Sequence, residues 1–211
     1  MVGVPNKSKQ LSRTQIRRRD EIIAASLKIF ERDGFESARM IDIAREAEVA
    51  KGTLYLYFDS KAALLEGVIR SVIMPTLTVV RKTAEDHSGS AAELLSDQIR
   101  ITARRMASPE MRTILRHMIS GGSKHKRIVQ FYYDNVIKNG RALFESTIKY
   151  GVERGEFKKE VADIDSLVIF GANVYAAVWK ILFDDISPID IEKLVDDQLK
   201  YVIPGLLRDP S

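Results

Sequence analysis

Apolar side chains recur every three or four positions along most of this chain, which is the spacing of amphipathic helices rather than of strands. The first predicted helix begins near Thr14 and ends at Asp33-Gly34, where glycine fits the left-handed conformation that often follows a helix. A later helix begins at Lys61 and runs toward Pro75, which we expect to kink or end it. The apolar face of the first helix is formed by Ile16, Ile23, Leu27 and Phe30.

The C-terminal part continues in the same pattern, and its turn residues mark where helices begin and end. Ser108-Pro109 is typical of a helix start, Gly155 is a stop, and Pro188 and Pro204 bracket the last helix. The sequence contains no β-rich run and no internal repeat, so we predict an all-α fold. The predicted C-terminal helices cover residues 91–107, 109–120, 126–154, 164–183 and 189–203.

Residues 37–61 contain two short helical patterns separated by a tight turn, which indicates a helix-turn-helix at about residues 39–58. Leu54 and Phe58 form the inward face of the second segment, and Ala44 is small enough to let two helices cross closely. In this motif the second helix enters the major groove of DNA. The other apolar positions of the motif are Met40, Ile43, Ala47 and, in the turn, Val49.

The outward positions of the second segment carry groups that bind phosphate oxygens, namely hydroxyls, an ammonium group and bare backbone N–H. Ser60 is placed to cap the next helix, whose first turn would present Lys61 to an adjacent phosphate. The alternative is an ordinary helical corner in which Tyr and Lys cover apolar surface. The candidate DNA-binding residues are Arg39, Lys51, Gly52, Thr53, Tyr55, Tyr57 and Lys61.

Three blocks in order resemble the DNA-binding domain of the TetR family of bacterial transcriptional regulators. They are Phe30 with Gly34-Phe35, where Ala25 is one residue off the usual spacing, "D-I-A-x-x-A-x-V" at 42–49, and "K-G-T-L-Y-x-Y-F-x-S-K-x-x-L" at 51–64. The resemblance covers about residues 16–66. It implies an N-terminal three-helix DNA-binding domain over residues 14–66 and a helical effector-binding and dimerisation domain over residues 67–211.

Several positions depart from the family pattern. Glu48 stands where the turn usually has glycine, and a positive φ there would cost about 1 kcal/mol. Ile41 stands where a polar or basic DNA contact is common, and Ala50 replaces a common serine. Arg39 replaces a common threonine, and we interpret it as an added contact to a base or a phosphate.

Positive charge is concentrated at the N-terminus. The chain has 33 Lys and Arg against 29 Asp and Glu, and its first nineteen residues carry six bases and no acid. We predict that residues 1–13 form a disordered basic arm that reaches phosphates or the minor groove. A solubilising tail or an affinity for anionic membrane surfaces are the alternatives. The six bases are Lys7, Lys9, Arg13, Arg17, Arg18 and Arg19.

Other classes of protein find little support in the sequence. The chain has no cysteine, which excludes disulfides and thiolate metal sites, and its three histidines lack metal-ligand spacing. No nucleophile elbow or phosphate-binding glycine loop is present, so we predict no catalytic residue, no metal and no cofactor. The N-terminus does not read as a signal peptide, and the charge-free part of 164–183 is shorter than the ~20 residues that a bilayer requires. We therefore expect a cytoplasmic protein with no membrane span.

The C-terminal part is rich in aromatic residues and methionine, most of which core packing explains. The alternative is a cavity for an apolar or amphipathic effector, which the resemblance also implies. The apolar run around 168–178 is hard for one subunit to cover, so we predict a homodimer through 164–183 and 189–203, paired as a four-helix bundle. The candidate effector-pocket residues are Met106, His117, Phe131, Tyr132, Phe144, Asn173, Tyr175 and Trp179.

Three functional hypotheses follow. The first is a dimeric repressor that a small-molecule effector releases from a palindromic DNA operator. The second is a DNA-binding protein of the same fold that responds to a protein partner instead of a small ligand. The third is an enzyme or an unrelated helical interaction module.

Overall fold

Ten α-helices contain most of the residues that the computed structural model describes, which are 12–122 and 124–208. Among these residues no strand is present beyond an isolated bridge between Phe157 and Leu207, which confirms the all-α prediction. The helices are α1 (Arg13–Ser37), α2 (Met40–Glu46), α3 (Lys51–Tyr57), α4 (Lys61–Glu85), α5 (Ala91–Met106), α6 (Pro109–Gly121), α7 (Lys126–Tyr132), α8 (Lys138–Glu153), α9 (Ser166–Leu182) and α10 (Ile191–Leu206).

The chain divides into two compact units, the first ending at Val68 and the second beginning at Ile69. In the first unit, α1 begins with a capping box, in which the Ser12 hydroxyl accepts from the Gln15 N–H and the Gln15 side chain accepts from the Ser12 N–H. The predicted stop at Gly34 has a φ of 75°, and one further turn extends to Ser37. The core of this unit includes Ile22, Ile29, Phe30, Ile43, Leu54, Phe58 and Leu64.

The second unit is built around α5, which packs against α8, α9 and α10. The buried side chains of this core include Leu95, Ile99, Phe144, Ile148, Phe157, Ile169, Val195 and Leu199. The chain after α8 is held against its own C-terminal end, because the Lys158 N–H donates to the Leu206 carbonyl and the Arg208 N–H to the Glu156 carbonyl. These two hydrogen bonds join the segment after α8 to the end of α10.

Two proline residues lie inside helices instead of ending them. α4 continues through Pro75 to Glu85, and α10 continues through Pro204 to Leu206, so the prediction that Pro204 ends the last helix is wrong. A proline removes one backbone donor, but burial of apolar residues beyond it can outweigh that loss. Leu77 lies beyond the first proline and Leu206 beyond the second, and both side chains are buried.

Two further details differ from the predicted elements. The predicted helix at 126–154 is interrupted by a π-helical segment at Tyr133–Ile137, which separates α7 from α8. A short 3-10 helix at Lys159–Asp163 lies where no element was predicted. A π-helical segment inserts one extra residue into a helical turn and so shifts the faces of the helix on its two sides.

One described helix, Lys61–Glu85, has the length and the apolar composition that a membrane crossing requires. The core helices of many globular proteins meet the same two criteria, and 44% of the apolar window of this helix is buried within the structure. Length and composition therefore do not identify α4 as a membrane span.

Two helices end in the same hydrogen-bonded turn, with different residues at its left-handed position. After α8, the Gly155 N–H donates to the Val152 carbonyl and the Glu156 N–H to the Gly151 carbonyl, and Gly155 has a φ of 73°. After α2, Glu48 and Val49 make the equivalent bonds to Arg45 and Ala44, and Glu48 has a φ of 53°. Both are Schellman motifs, but only Gly155 occupies the left-handed position without a steric cost.

We predict that Glu48→Gly raises the free energy of unfolding by about 1 kcal/mol, because it relieves the left-handed strain in the turn between α2 and α3. Urea denaturation of the full chain measures the change. Glu48→Ala is the control, since it removes the same carboxylate but keeps a Cβ. A gain of equal size in both variants would show that charge, and not backbone strain, sets the stability of this turn.

Candidate nucleic-acid interface and effector cavity

The α2–α3 region has the buried and exposed faces that a helix-turn-helix requires. Ile43 and Ala44 of α2 are buried, as are Leu54 of α3 and Phe58 just after it. Helix α3 has only seven residues, so these apolar contacts, rather than its own backbone hydrogen bonds, fix its position. On its outward side, Lys51, Gly52 and Tyr55 are exposed, and Thr53 and Tyr57 are half-buried.

The cations near the motif, Lys51 and Arg39, have different contacts within the protein. The Lys51 ammonium lies 6.0 Å from the centre of the Tyr55 ring and forms no ion pair with the described residues. The Arg39 guanidinium is mostly exposed and lies 3.4 Å from the Asp42 carboxylate, which Arg45 also approaches at 3.5 Å. Lys51, the cation of α3, is therefore more available to a phosphate than Arg39 is.

Lys61 has a partner within the protein that the sequence did not reveal. Its ammonium group donates to the carbonyls of Glu36 (2.8 Å) and Ala38 (3.0 Å) and lies 4.7 Å from the centre of the Phe35 ring. Partial burial lowers the pKa of Lys61. The group thus joins the first turn of α4 to the chain at the end of α1, whereas the sequence assigned it to a phosphate. Ser60 does cap α4, since its hydroxyl accepts from the Ala63 N–H.

Leu56 is an exposed apolar residue of α3 that the sequence interpretation passed over. Its side chain is 84% exposed, and Ile41 on α2 is also exposed. Helical geometry contained the signal: when Leu54 and Phe58 point inward, the residue two positions after Leu54 points outward. An exposed leucine beside the phosphate-binding groups suits contact with a thymine methyl in the major groove.

Part of the predicted basic arm, including Lys7 and Lys9, lies outside the described residues. Of the bases that follow, Arg17 and Arg18 pair with Glu21, and the Arg19 guanidinium lies 5.3 Å from the centre of the Phe58 ring.

The second unit contains a cavity of about 100 Å³ among α4, α5, α8, α9 and the segment around the π-helix. Four of the eight predicted pocket residues line it, namely Met106, Tyr132, Phe144 and Asn173. Most of the remaining lining is aliphatic, and it includes Ile73, Leu77, Val80, Met111, Val136, Ile137 and Leu143. The π-helical segment supplies Val136 and Ile137, so the extra residue in that turn shapes the wall of the cavity.

The other four predicted pocket residues lie away from this cavity. His117 is buried, with its ring 5.4 Å from that of His125, and Phe131 packs 4.6 Å from the Arg70 guanidinium. Tyr175 is exposed on α9, and Trp179 follows it in a row of aromatic rings and donates its indole N–H to the Ser187 carbonyl. Helical spacing alone could not separate these residues from the cavity lining, because neighbouring helices decide which face is enclosed.

The cavity has a few polar groups. Asn173 donates to the Ile99 carbonyl at 3.3 Å, and Arg105 donates through Nε to the Thr76 hydroxyl at 2.8 Å. Arg141 pairs with Asp165 at 3.0 Å. Burial raises the pKa of the Tyr132 hydroxyl, which therefore stays protonated and able to donate. Among the described residues no group of three or more His, Cys, Asp or Glu could hold a metal ion.

Helix α9 exposes an apolar face along its length. Val168 is 69% exposed, and on α10 Tyr201 is 83% exposed. The half-buried Gly171 lies on the same face as Val168 and Tyr175, and an added Cβ there would meet no atom within 4 Å. The exposed apolar side chains of α9 are Leu167, Val168, Val174, Tyr175 and Leu182.

Comparison with known proteins agrees with this architecture. Residues 22–68 match the model of the family described as bacterial regulatory proteins, tetR family. Over 199 residues the chain is 23% identical to the uncharacterized HTH-type transcriptional regulator YfiR of Bacillus subtilis (strain 168), a match that covers 92% of this chain and 94% of YfiR.

Two solved structures share the fold. The fatty acid degradation regulator FadR from Bacillus halodurans superposes with a TM-score of 0.73 at 21% identity, over 95% of this chain and all of that one. The transcriptional regulator FadR from Bacillus subtilis, solved in complex with stearoyl-CoA, gives a TM-score of 0.68 at 19% identity over 89% and 98%. The relatives are transcriptional regulators, which confirms the prediction that the chain is not an enzyme. Residues 22–68 therefore belong to the TetR family of DNA-binding domains, and over most of its length the chain is similar to transcriptional regulators.

Proposed function

We propose that the chain is a dimeric repressor that binds a palindromic DNA operator in the cytoplasm and leaves it when a small molecule occupies the cavity of the second unit. The observation that carries the proposal is the presence in one chain of an exposed face on α3 with an ammonium group and hydroxyls, and of an apolar cavity whose wall includes α4. Helix α4 runs unbroken from Lys61 to Glu85 and so belongs to both units.

In this proposal α3 lies in the major groove. Lys51 and the backbone at Gly52 contact phosphates, and the hydroxyls of Thr53, Tyr55 and Tyr57 donate to phosphate oxygens. Leu56 contacts a thymine methyl, which gives the helix one means of distinguishing bases. Arg39 supplies a second cation, because its guanidinium is exposed at the start of α2.

A dimer is required because a seven-residue helix reads too few base pairs to be selective. Two such helices must be held about one helical turn of DNA apart, ~34–36 Å, or a multiple of it. We propose that the apolar face of α9, with Tyr201 of α10, packs against the same face of a second copy. A two-fold axis brings identical surfaces together, and the side chains of this face are apolar as such an interface requires.

The effector site is the cavity described above. A small molecule there would contact Ile73, Thr76, Leu77 and Val80, all of which belong to α4. The first turn of the same helix is held to the end of α1 by Lys61. A displacement of α4 by a bound effector would therefore reach the unit that carries α3. The stearoyl-CoA bound to the Bacillus subtilis FadR supports a small-molecule effector, whereas control by a protein partner would not need an apolar cavity.

We predict that Lys51→Met weakens binding to every DNA sequence alike and reduces the slope of log affinity against log salt by about one unit. Lys61→Met should instead lower the free energy of unfolding by about 1 kcal/mol, because two carbonyls lose their donor, and leave the salt slope nearly intact.

Fluorescence anisotropy at several salt concentrations and urea denaturation separate these two effects. Lys149→Met, which removes an exposed lysine from α8, is the matched control and should change neither quantity. A salt slope that falls for Lys61→Met and stays constant for Lys51→Met would reverse the two assignments.

We predict that Val168→Glu and Tyr201→Glu each convert the dimer to monomers. Two-fold symmetry would bury the new carboxylate twice in the interface, which costs about 3 kcal/mol or more. Light scattering after size exclusion measures the mass. Ile119→Glu is the control, since Ile119 is similarly exposed but lies on α6. Dimers that persist in both α9 and α10 variants would place the interface elsewhere.

We predict that octan-1-ol, as an apolar probe, binds the free dimer more tightly than the operator-bound dimer, by roughly 5- to 150-fold, since coupling between two sites is reciprocal. Gly140→Leu should abolish this binding and leave operator affinity unchanged. Gly140 lines the cavity on the helix face shared by Ile137 and Phe144, and a Cβ there meets no atom within 4 Å.

Titration calorimetry with and without an operator selected from randomised duplexes tests the coupling. Equal affinities of the two forms for the probe would contradict effector release and favour a DNA-binding protein that responds to another protein.

A further inference from the structure

The cavity of the second unit shares two lining side chains with an open groove of about 390 Å³ on the surface. Thr76 of α4 and Arg105 of α5 line both spaces, and the hydrogen bond from Arg105 Nε to the Thr76 hydroxyl joins them across the wall. The contact is between side chains, so rotamer changes alone can open it without unfolding either helix. The other groove residues are Pro75, Val79, Ile101, Arg104 and Ser108.

The size of the cavity limits how much of a ligand it can hold. An engineered cavity of about 150 Å³ in another protein accommodates a benzene molecule. At about 100 Å³, this cavity has room for a short apolar group and not for a whole effector of ordinary size. The remainder of such a ligand must lie outside the cavity, and the groove beyond Thr76 and Arg105 adjoins it.

Arg105 differs from Arg100 and Arg104 in having no carboxylate partner among the described residues. Arg104 makes two hydrogen bonds to Glu192, at 2.7 and 2.8 Å, and Arg100 pairs with Asp196 at 2.6 Å. Among residues 12–122 and 124–208, Arg105 forms no ion pair, and its hydrogen bond to Thr76 uses only one of its five N–H donors.

The charge of Arg105 influences the pKa of the Glu110 carboxyl group. The pKa of Glu110 is lowered first by a hydrogen bond from Ser108 and to a smaller extent by the charges of Arg105 and Arg112. The Glu110 carboxylate lies beyond ion-pair distance of Arg105, so the guanidinium keeps donors for another anion. A half-buried guanidinium with open donors binds a carboxylate or phosphate strongly, because both members of the hydrogen bonds are charged.

We propose that the cavity and the groove form one site for an amphiphile with an anionic head, whose apolar tail enters the cavity while its head binds Arg105 in the groove. Entry of the ligand exchanges the Arg105–Thr76 hydrogen bond for bonds from Arg105 to the anion. The Tyr132 hydroxyl, which makes no hydrogen bond to the described residues, remains as a donor within the cavity for a neutral oxygen of the ligand. This assignment rests on the effector cavity proposed above and adds the charge of the ligand and the residue that recognises it.

The test compares octanoate with octan-1-ol, which share a tail and differ in the head. The full-length dimer should bind octanoate at least tenfold more tightly than the alcohol, and Arg105→Gln should remove that difference by weakening octanoate binding much more than alcohol binding. A variant that still binds the alcohol retains the cavity, so a merely structural role of Arg105 cannot produce the selective loss of octanoate binding. Arg116→Gln, which removes an exposed arginine from α6, is the matched control and should keep the preference for octanoate.

A second measurement separates this proposal from the function on which it rests. If octan-1-ol binds and octanoate binds no more tightly, the anionic head is excluded and the apolar effector cavity stands. An octanoate preference that survives Arg105→Gln would overturn the role of Arg105. If neither probe binds a dimer that still recognises its operator, the effector site itself is excluded together with this assignment.

Discussion

The burial of Leu54 and Phe58 is the constraint on which the position of α3 and of its exposed face depends. A helix of seven residues is too short to be stable alone, so α3 exists because these two side chains complete a core that α1 and α2 begin. The same contacts fix which residues face outward, and they place Lys51, Tyr55 and Leu56 together on one surface. The turn before α3 accepts a left-handed glutamate, which indicates that tertiary contacts hold this geometry against its local steric cost.

Helix α4 contributes residues to both units, because the boundary between Val68 and Ile69 lies within it. Its first turn is held to the end of α1 by the Lys61 ammonium, and residues later in the same helix form part of the cavity wall. Because protein interiors are close-packed, a ligand that enters this cavity must displace side chains of its wall, including those of α4. Because α4 is continuous through Pro75, Thr76 and Leu77 belong to the same helix that begins at Lys61.

Several charges of the second unit are paired across the surface, and such pairs contribute little to stability. For ligand binding, the important point is which arginine these ion pairs leave without a carboxylate partner. With Arg100 and Arg104 engaged by α10 and Arg141 paired with Asp165, the positive charge at the wall of the cavity that has no carboxylate partner among the described residues comes from Arg105. Selectivity for an anionic ligand would thus arise from the pairing of neighbouring residues, and not from a large excess of positive charge.

The sequence by itself determined the all-α fold, the place of the helix-turn-helix, the cap at Ser60 and the strained position of Glu48, because each depends on periodicity or on residues a few positions apart. Only half of the predicted pocket residues line the cavity, since Met106, Tyr132, Phe144 and Asn173 meet there but the other four do not, and most of the lining was not predicted. Only the tertiary structure decided the partners of Lys61 and Arg105 and the continuation of α10 beyond Pro204. These features depend on contacts between residues far apart in the chain, where packing outweighs the local preferences that a sequence pattern records.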